Sequence, residues 1–209
     1  RLCASAPEQP PQETVELIIA TDLHYLAPEL TDHGSYFQGL IENADGKAVE
    51  YCEEIIDAFV SQVIAQAPDC LILSGDLTFN GAKQSHEALI QKLRQICDAG
   101  IPVFVIPGNH DMDNSMAASF QGDGYPRVES VTPGAFSTLY QPFGYGSALS
   151  KDPHSLSYTA QLSPNLRLLM IDVNAAERPG QLAEGTLAWA EEQLDAAREA
   201  GMKVFSVSH

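Results

Sequence analysis

The chain has 209 residues and a formal net charge of −17 at pH 7, from 28 acidic and 11 basic side chains. This length suits one large domain and is too short for two of ordinary size, and a hydrophobic content of 44% is enough for a substantial core. The negative charge repels nucleic acid and anionic lipid at long range, and no apolar run approaches the roughly 20 residues of a membrane-spanning helix. An anionic substrate would need another source of positive charge, and a metal cation would supply it.

The N-terminal segment, residues 1–14, is a proline-rich leader without the apolar residues of a core. Its stretch Leu2–Ala6, "LCASA", has the form of the end of a secretion signal with an A-x-A cleavage site. This favours an exported or cell-envelope location over a cytoplasmic one. Regular patterning begins at Val15, and residues 15–209 are expected to form one domain.

Five apolar segments have the composition of buried β-strands, with continuous runs of Val, Ile and Leu. In chain order they are "VELIIATD" from Val15, "CLILSGD" from Cys70, "PVFVIPGN" from Pro102, "LRLLMIDV" from Leu166 and "KVFSVSH" from Lys203. Apolar side chains at helical spacing predict helices over Val49–Ala67, Lys83–Ala99 and Leu187–Ala200. Strands that alternate with helices predict an α/β core with parallel strands.

Two features complicate this simple alternation. The segment "SLSYTAQL" from Ser155 precedes the turn sequence "SPN" and the fourth strand, which predicts an antiparallel hairpin and hence mixed sheets. Two connections, Tyr25–Lys47 and Met112–Pro133, are unusually long for a compact domain. Because loops of this length commonly carry function, Tyr25, His33 and Asp113 are candidate substrate contacts.

Four of the five predicted strands end in side chains that bind metals. In chain order these are Asp22 and His24, then Asp76, then Asn109 with His110, and finally His209. Ligands bind beyond the carboxyl ends of the strands in open α/β sheets, so these groups should converge. Carboxylate, imidazole and amide donors suit a divalent ion such as manganese, iron or zinc. Each residue alone is as readily structural, and their joint occurrence favours a metal site.

The remaining polar residues of this region have simpler interpretations. Asp111 is expected to orient the loop that carries His110 and not to bind metal. His86, at the start of a predicted helix, and His154 are expected to be ordinary surface histidines.

The motifs "DLH", "GDLTFNG", "GNHD" and "SVSH" resemble the successive motifs of the calcineurin-like metallophosphoesterases, a superfamily of dimetal phosphatases and phosphodiesterases. The resemblance extends from about Val15 to the last residue. It implies a four-layer α/β/β/α sandwich with mixed sheets, and two divalent metal ions (Mn, Fe or Zn) above the strand ends. The implied roles are Asp22 and His24 on the first metal, Asp76 bridging both, Asn109 and His209 on the second, and His110 as the catalytic residue beside the substrate.

The family also has a later G-H-x-H motif, with one histidine for each metal, and this motif is missing from the 209 residues. Either the chain is a fragment or the site is degenerate, and we favour the fragment. The domain is then expected to be incomplete at its C-terminus, and a missing segment or a second chain would complete the site with the closing strands and the last histidine motif.

The resemblance implies metal-dependent hydrolysis of phosphomonoesters or phosphodiesters, on a phosphate-ester small molecule or a phosphoprotein and not on nucleic acid. Two metals roughly 3.5–4 Å apart would lower the pKa of a bridging water, so that hydroxide, the nucleophile, forms near neutral pH. His110, as imidazolium, would protonate the leaving oxygen. Two alternatives remain: a catalytically inactive metal-binding or scaffold domain, and a nuclease of the same fold, against which the acidic composition counts.

Overall fold

The computed structural model describes residues 14–43, 47–175 and 180–209. Most of the predicted leader, including Leu2–Ala6, lies outside the described residues. Every helix in the described part of the chain is too short or too polar to cross a membrane.

The first sheet has three parallel strands, and the second strand lies in the middle. The strands are β1 (Leu17–Ala20), β2 (Cys70–Ser74) and β3 (Val103–Ile106). β2 pairs with β1 on one side and β3 on the other, both in parallel register. Every residue of β2 and β3 is buried, which explains why these segments are continuously apolar. The first three predicted strands are confirmed.

The second sheet is mixed and has the order β4-β5-β6-β7. Its strands are β4 (Ser150–Lys151), β5 (Tyr158–Ser163), β6 (Leu166–Ile171) and β7 (Lys203–Ser208). β5 and β6 form the predicted antiparallel hairpin, whereas β6 and β7 run parallel. The mixed character expected from the sequence is confirmed.

Within the described residues, three long α-helices match the predicted ones, and two short α-helices occur in addition. The helices are α1 (Ser35–Ile41), α2 (Cys52–Gln66), α3 (Lys83–Asp98), α4 (Pro133–Leu139) and α5 (Thr186–Glu199). A short 3₁₀ turn, Val49–Tyr51, precedes α2. α1 lies inside the first long connection, so this segment is more ordered than its sequence indicates, and α4 begins at Pro133, the last residue of the second connection.

The elements stack in the predicted four-layer α/β/β/α order. Buried residues of α2 and α3 share one core with β1–β3, and the inner face of the second sheet joins the same core. Along β6 the side chains alternate: Leu168 and Met170 belong to this core, and Leu169 packs with Trp189 of α5 in a separate cluster. This alternation, which follows from the two-residue period of a strand, places α5 on the outer face of the second sheet.

Candidate metal centre

The loops after β1 and β2 are held together by backbone hydrogen bonds. The Asp22 nitrogen donates to Gly75 O (3.1 Å) and the His24 nitrogen to Asp76 O (3.0 Å). Asp22, His24 and Asp76 all have positive φ angles, of 55°, 43° and 46°. This left-handed conformation is uncommon for residues other than glycine and occurs preferentially at functional sites. Here it turns three candidate ligand side chains away from the normal strand direction.

Asp76 lies at the centre of the site. It is 4% exposed, and its Oδ2 lies 3.8 Å from Nε2 of His24, 3.9 Å from Nε2 of His110 and 3.4 Å from Nε2 of His209. Its Oδ1 accepts a hydrogen bond from the His110 backbone nitrogen (2.9 Å). The ends of β2 and β7 and the loop after β3 therefore meet at one carboxylate.

The donor spacing fits a metal ion. Ligand atoms of Asp22, Asp76 and His209 all lie within 4.8 Å of one another, and Nε2 of His24 lies 3.4 Å from Oδ1 of Asp22. Two ligand atoms bound at about 2.1 Å to one tetrahedral cation are roughly 3.4 Å apart. The carboxylate and imidazole donors are thus separated as they would be around a shared cation.

Two histidines are fixed in the tautomer that leaves Nε2 free. Nδ1 of His209 lies 2.8 Å from Ser74 O, and Nδ1 of His110 lies 2.9 Å from Phe79 O. Since a carbonyl oxygen only accepts, each Nδ1 carries the proton and donates it. Nε2 of a neutral ring then offers its lone pair to the site.

The pKa shifts of Asp22 and His24, in the loop after β1, favour the protonation states that bind metal. The Thr21 hydroxyl donates to Asp22 Oδ2 (2.6 Å), and this hydrogen bond lowers the pKa of Asp22. Burial, followed by the charge of Lys47, lowers the pKa of His24. A carboxylate and a neutral imidazole are the species that bind metal.

Two glycines make the close approach of these loops possible. A Cβ atom on Gly75, whose φ is 89°, would lie 2.5 Å from Cγ of His209. A Cβ atom on Gly108 would overlap the backbone nitrogen and Oδ1 of Asp76. Only glycine fits at both positions, which explains why the carboxylate and the amide are each preceded by it.

Asp111 joins the loop after β2 to the loop after β3, and its predicted orienting role is confirmed. Its fully buried carboxylate accepts hydrogen bonds through Oδ2 from the nitrogens of Leu77 (3.1 Å) and Gly108 (2.8 Å). Oδ1 accepts from the nitrogen (2.9 Å) and the hydroxyl (3.0 Å) of Thr78. Four donors from two loops therefore converge on one side chain.

His86 is not a surface residue, and that prediction is wrong. Its ring is completely buried, with Nε2 2.8 Å from Asp111 O and Nδ1 2.8 Å from the Tyr140 hydroxyl. His86 precedes the buried residues Leu89 and Ile90 by three and four positions, which places it on the same face of α3. That spacing is a sequence signal from which its burial could have been inferred. His154, in contrast, is exposed as expected.

The other candidate residues lie at the rim of the site or outside it. Asn109 is exposed and borders two cavities, of about 580 and 760 Å³, and Asp113 borders both as well. His33 is exposed, contacts Phe37 edge-on at 5.4 Å, and lines neither of these cavities. The predicted substrate contact of His33 therefore has no support from this geometry.

The prediction that Tyr25 contacts substrate is wrong. Tyr25 is 1% exposed, and its hydroxyl donates to Glu53 Oε2 (2.6 Å) in α2. Its backbone pairs with the loop after β2: the Tyr25 nitrogen donates to Leu77 O, and the Tyr25 oxygen accepts from the Phe79 nitrogen. The ordered pairing thus extends past β1, and the first long connection begins later than its sequence indicates.

Residues 16–191 match the family model described as calcineurin-like phosphoesterase. Two curated proteins, each called a probable cyclic nucleotide phosphodiesterase, also match. The protein from Vesicomyosocius okutanii is 44% identical over 52 residues, 25% of this chain and 21% of its own length. The protein from Ruthia magnifica is 39% identical over 61 residues, 29% of this chain and 25% of its own length. The matched regions therefore span only about a quarter or less of these relatives.

Among solved structures, a dimetal phosphatase from Danio rerio superimposes with a TM-score of 0.58. The superposition covers 93% of this chain and 69% of the zebrafish chain at 14% sequence identity. At this identity the likeness concerns the fold alone, and it agrees with the two-sheet architecture described above.

Proposed function

The chain belongs to the calcineurin-like phosphoesterase family, and from this premise we propose that the protein is a metal-dependent hydrolase of phosphate esters. The observation that carries the proposal is the convergence of three imidazole nitrogens, from His24, His110 and His209, within 3.4–3.9 Å of Asp76 Oδ2. Two of these residues, His24 and Asp76, have positive φ angles, and such strained backbone conformations cluster at functional sites.

We propose that two divalent cations, Mn, Fe or Zn, bind here. Asp22 and His24 would hold one, Asn109 and His209 the other, and Asp76, whose carboxylate has two oxygens, would bridge them. When bound, such cations supply positive charge for the phosphoryl oxygens and for activating water. In a chain with a net charge of −17, this charge would let an anionic substrate approach.

His110 is proposed as the proton donor to the leaving oxygen. Its Nδ1 proton is committed to Phe79 O (2.9 Å), so the ring orientation is fixed and Nε2 faces the site. The side chain is one-third exposed, so a substrate can reach it. As an imidazolium, it would donate from Nε2, and a positioned acid of this kind typically contributes about 10²–10⁴-fold in rate.

The substrate is proposed to be a phosphodiester or a phosphomonoester, carried by a small molecule or a phosphoprotein. The two curated relatives are named probable cyclic nucleotide phosphodiesterases, which makes a diester the first substrate to test. Nothing in the strongly acidic composition favours nucleic acid as the substrate.

The test is hydrolysis of chromogenic esters by metal-free protein reloaded with Mn²⁺, Fe²⁺ or Zn²⁺. Bis(4-nitrophenyl) phosphate and 4-nitrophenyl phosphate distinguish diesterase from monoesterase activity, and metal content is measured on the same samples. We expect metal-dependent release of 4-nitrophenol from at least one ester. Bound metal without turnover would instead indicate a metal-binding domain, and protein with neither metal nor turnover would contradict both functions.

A further inference from the structure

A cavity of about 760 Å³ opens beside His110 and Asn109. Its size falls within the range of about 300–1,000 Å³ that is usual for small-molecule sites. Besides these two polar residues, four aromatic rings line it, from Tyr36, Phe79, Phe120 and Tyr125. We call this cavity the aromatic cleft. It is continuous with the proposed phosphate position, because His110 belongs to both.

The rings of the aromatic cleft are arranged in two pairs. Tyr36 and Tyr125 are stacked, with centroids 5.5 Å apart and planes 17° from parallel. Phe79 and Phe120 meet edge to face at 6.1 Å. Tyr125 nevertheless remains 48% exposed, and the neighbouring Met116 is 59% exposed. A large aromatic and apolar surface that stays open next to a polar site is typical of a ligand-binding groove.

The aromatic cleft also carries positive charge. Lys47 and Arg127 both line it, and the Arg127 guanidinium lies 5.3 Å from the centroid of the Tyr125 ring. Asp113 lines the aromatic cleft too, so its lining has two cations against one anion, whereas the whole chain has 11 basic residues against 28 acidic ones. They would attract an anionic ligand and favour electron-rich rings.

We infer that the aromatic cleft binds a flat aromatic group in the alcohol part of the ester substrate. The group would pack against the Tyr36–Tyr125 wall while the phosphate lies beside His110. The position of the phosphate rests on the proposed function, whereas the preference for a ring rests on the cleft alone. A nucleobase and a phenyl group share the required chemistry, and the experiment separates them.

The first experiment measures binding without metal or turnover. Saturation-transfer NMR on the metal-free chain compares adenosine, phenol and ribose as probes. We expect adenosine to bind at least tenfold more tightly than ribose, since stacking of one base on aromatic side chains commonly contributes a factor of this size. Phenol binding like adenosine would assign the aromatic cleft to aryl groups in general, and adenosine binding alone would assign it to nucleobases. Equal, weak binding of all three probes would overturn the inference.

The second experiment uses variants of one wall residue. Tyr125→Ala should weaken adenosine binding about tenfold, and Tyr125→Phe, which keeps the ring, should retain it within about twofold. Tyr51→Ala is the matched control, because Tyr51 is 59% exposed and does not line the aromatic cleft. A loss of affinity in Tyr51→Ala equal to that in Tyr125→Ala, or no loss in Tyr125→Ala, would contradict the inference.

A kinetic comparison then links the aromatic cleft to the proposed reaction. In the Mn²⁺-loaded protein, Tyr125→Ala should raise KM for 4-nitrophenyl phosphate about tenfold and leave kcat/KM for glycerol phosphate within about twofold. An equal fall in kcat/KM for both esters would overturn the assignment of the aromatic cleft. If the wild type hydrolyses neither these monoesters nor bis(4-nitrophenyl) phosphate but its metal-free chain binds adenosine through Tyr125, the proposed function fails and the aromatic cleft stands.

Discussion

The imidazole ring of His209 lies directly against Gly75, so closely that a Cβ atom on residue 75 would be 2.5 Å from its Cγ. This contact joins the last residue of the chain to the turn after the central strand of the first sheet. The Nδ1 hydrogen bond to Ser74 O (2.8 Å) fixes the same ring from a second side. The position of the proposed metal ligand His209 therefore depends on residue 75 being a glycine, which has no side chain.

Gly75→Ala should displace His209 and remove metal. The added methyl group would clash with the ring, and a φ of 89° is unfavourable for alanine. We expect at least a tenfold loss of metal affinity, measured by metal analysis after equilibrium dialysis. Gly39→Ala is the control: a Cβ atom there meets nothing within 4 Å, so its metal content should not change. Undiminished metal binding by Gly75→Ala would contradict this account of the site.

Asp22→Asn should weaken metal binding without unfolding the protein. The residue is exposed and its side chain is one of the three whose ligand atoms lie within 4.8 Å of one another. Replacing a carboxylate by an amide removes one negative charge from the site, so metal affinity should fall by about 10- to 100-fold. Metal analysis and circular dichroism of the same samples check both parts. Asp113→Asn, at an exposed position on the rim, should retain metal.

His110→Gln should abolish turnover and leave metal content near that of the wild type. Glutamine cannot become a cation, so the proposed proton donor is lost and kcat should fall about 10²–10⁴-fold. The rate is measured with 4-nitrophenyl phosphate in the presence of Mn²⁺. His33→Gln, which removes an exposed histidine from a loop outside both cavities, should keep kcat within about twofold. Unchanged turnover in His110→Gln would exclude the residue from the mechanism.

Asp111→Asn should destabilise the fold. The buried carboxylate accepts four hydrogen bonds, and an amide has one oxygen for these donors and adds two donors of its own. We expect the free energy of unfolding in urea to fall by about 3 kcal/mol. A loss below about 0.5 kcal/mol, the usual range for a surface substitution, would show that Asp111 does not hold the two loops together.

The stability of the protein should depend on pH through His86. Burial lowers the pKa of this imidazole in the folded chain from its ordinary value of 6.5. The unfolded chain therefore takes up a proton at a pH where the folded chain does not. The free energy of unfolding should fall as the pH decreases from about 7 through 6.5 toward the folded-state pKa, and the contribution of His86 should then level off.

Comparison with His86→Gln isolates this contribution. Glutamine can still donate to Asp111 O but does not titrate, and the other histidines are the same in both proteins. Urea unfolding between pH 5 and pH 8 should therefore show a smaller loss of stability at low pH in the variant. Identical pH profiles would contradict the account.

Much of the fold could be predicted from local sequence patterns. Continuous apolar runs identify β2 and β3, and apolar residues at helical spacing identify α2, α3 and α5, because these patterns depend only on the period of each element. The short elements α1, α4 and β4 were missed, since seven residues or fewer contain too little periodicity. Residues at the ends of parallel strands were also expected to converge; Asp22, His24, Asp76, His110 and His209 do so, whereas Asn109 is exposed at the rim. Their roles in binding metal and in catalysis stay predictions.

The amino-acid sequence by itself determined the strands other than β4, the long helices and the kinds of side chain at their ends. The tertiary structure alone decided that Tyr25 is buried against α2, that His86 lies beneath the loop of His110, and that Tyr36 and Tyr125 form one wall. Each of these facts is a contact between segments far apart in the chain. Local periodicity describes which face of an element is apolar, but the direction and surroundings of a side chain depend on what packs against that face.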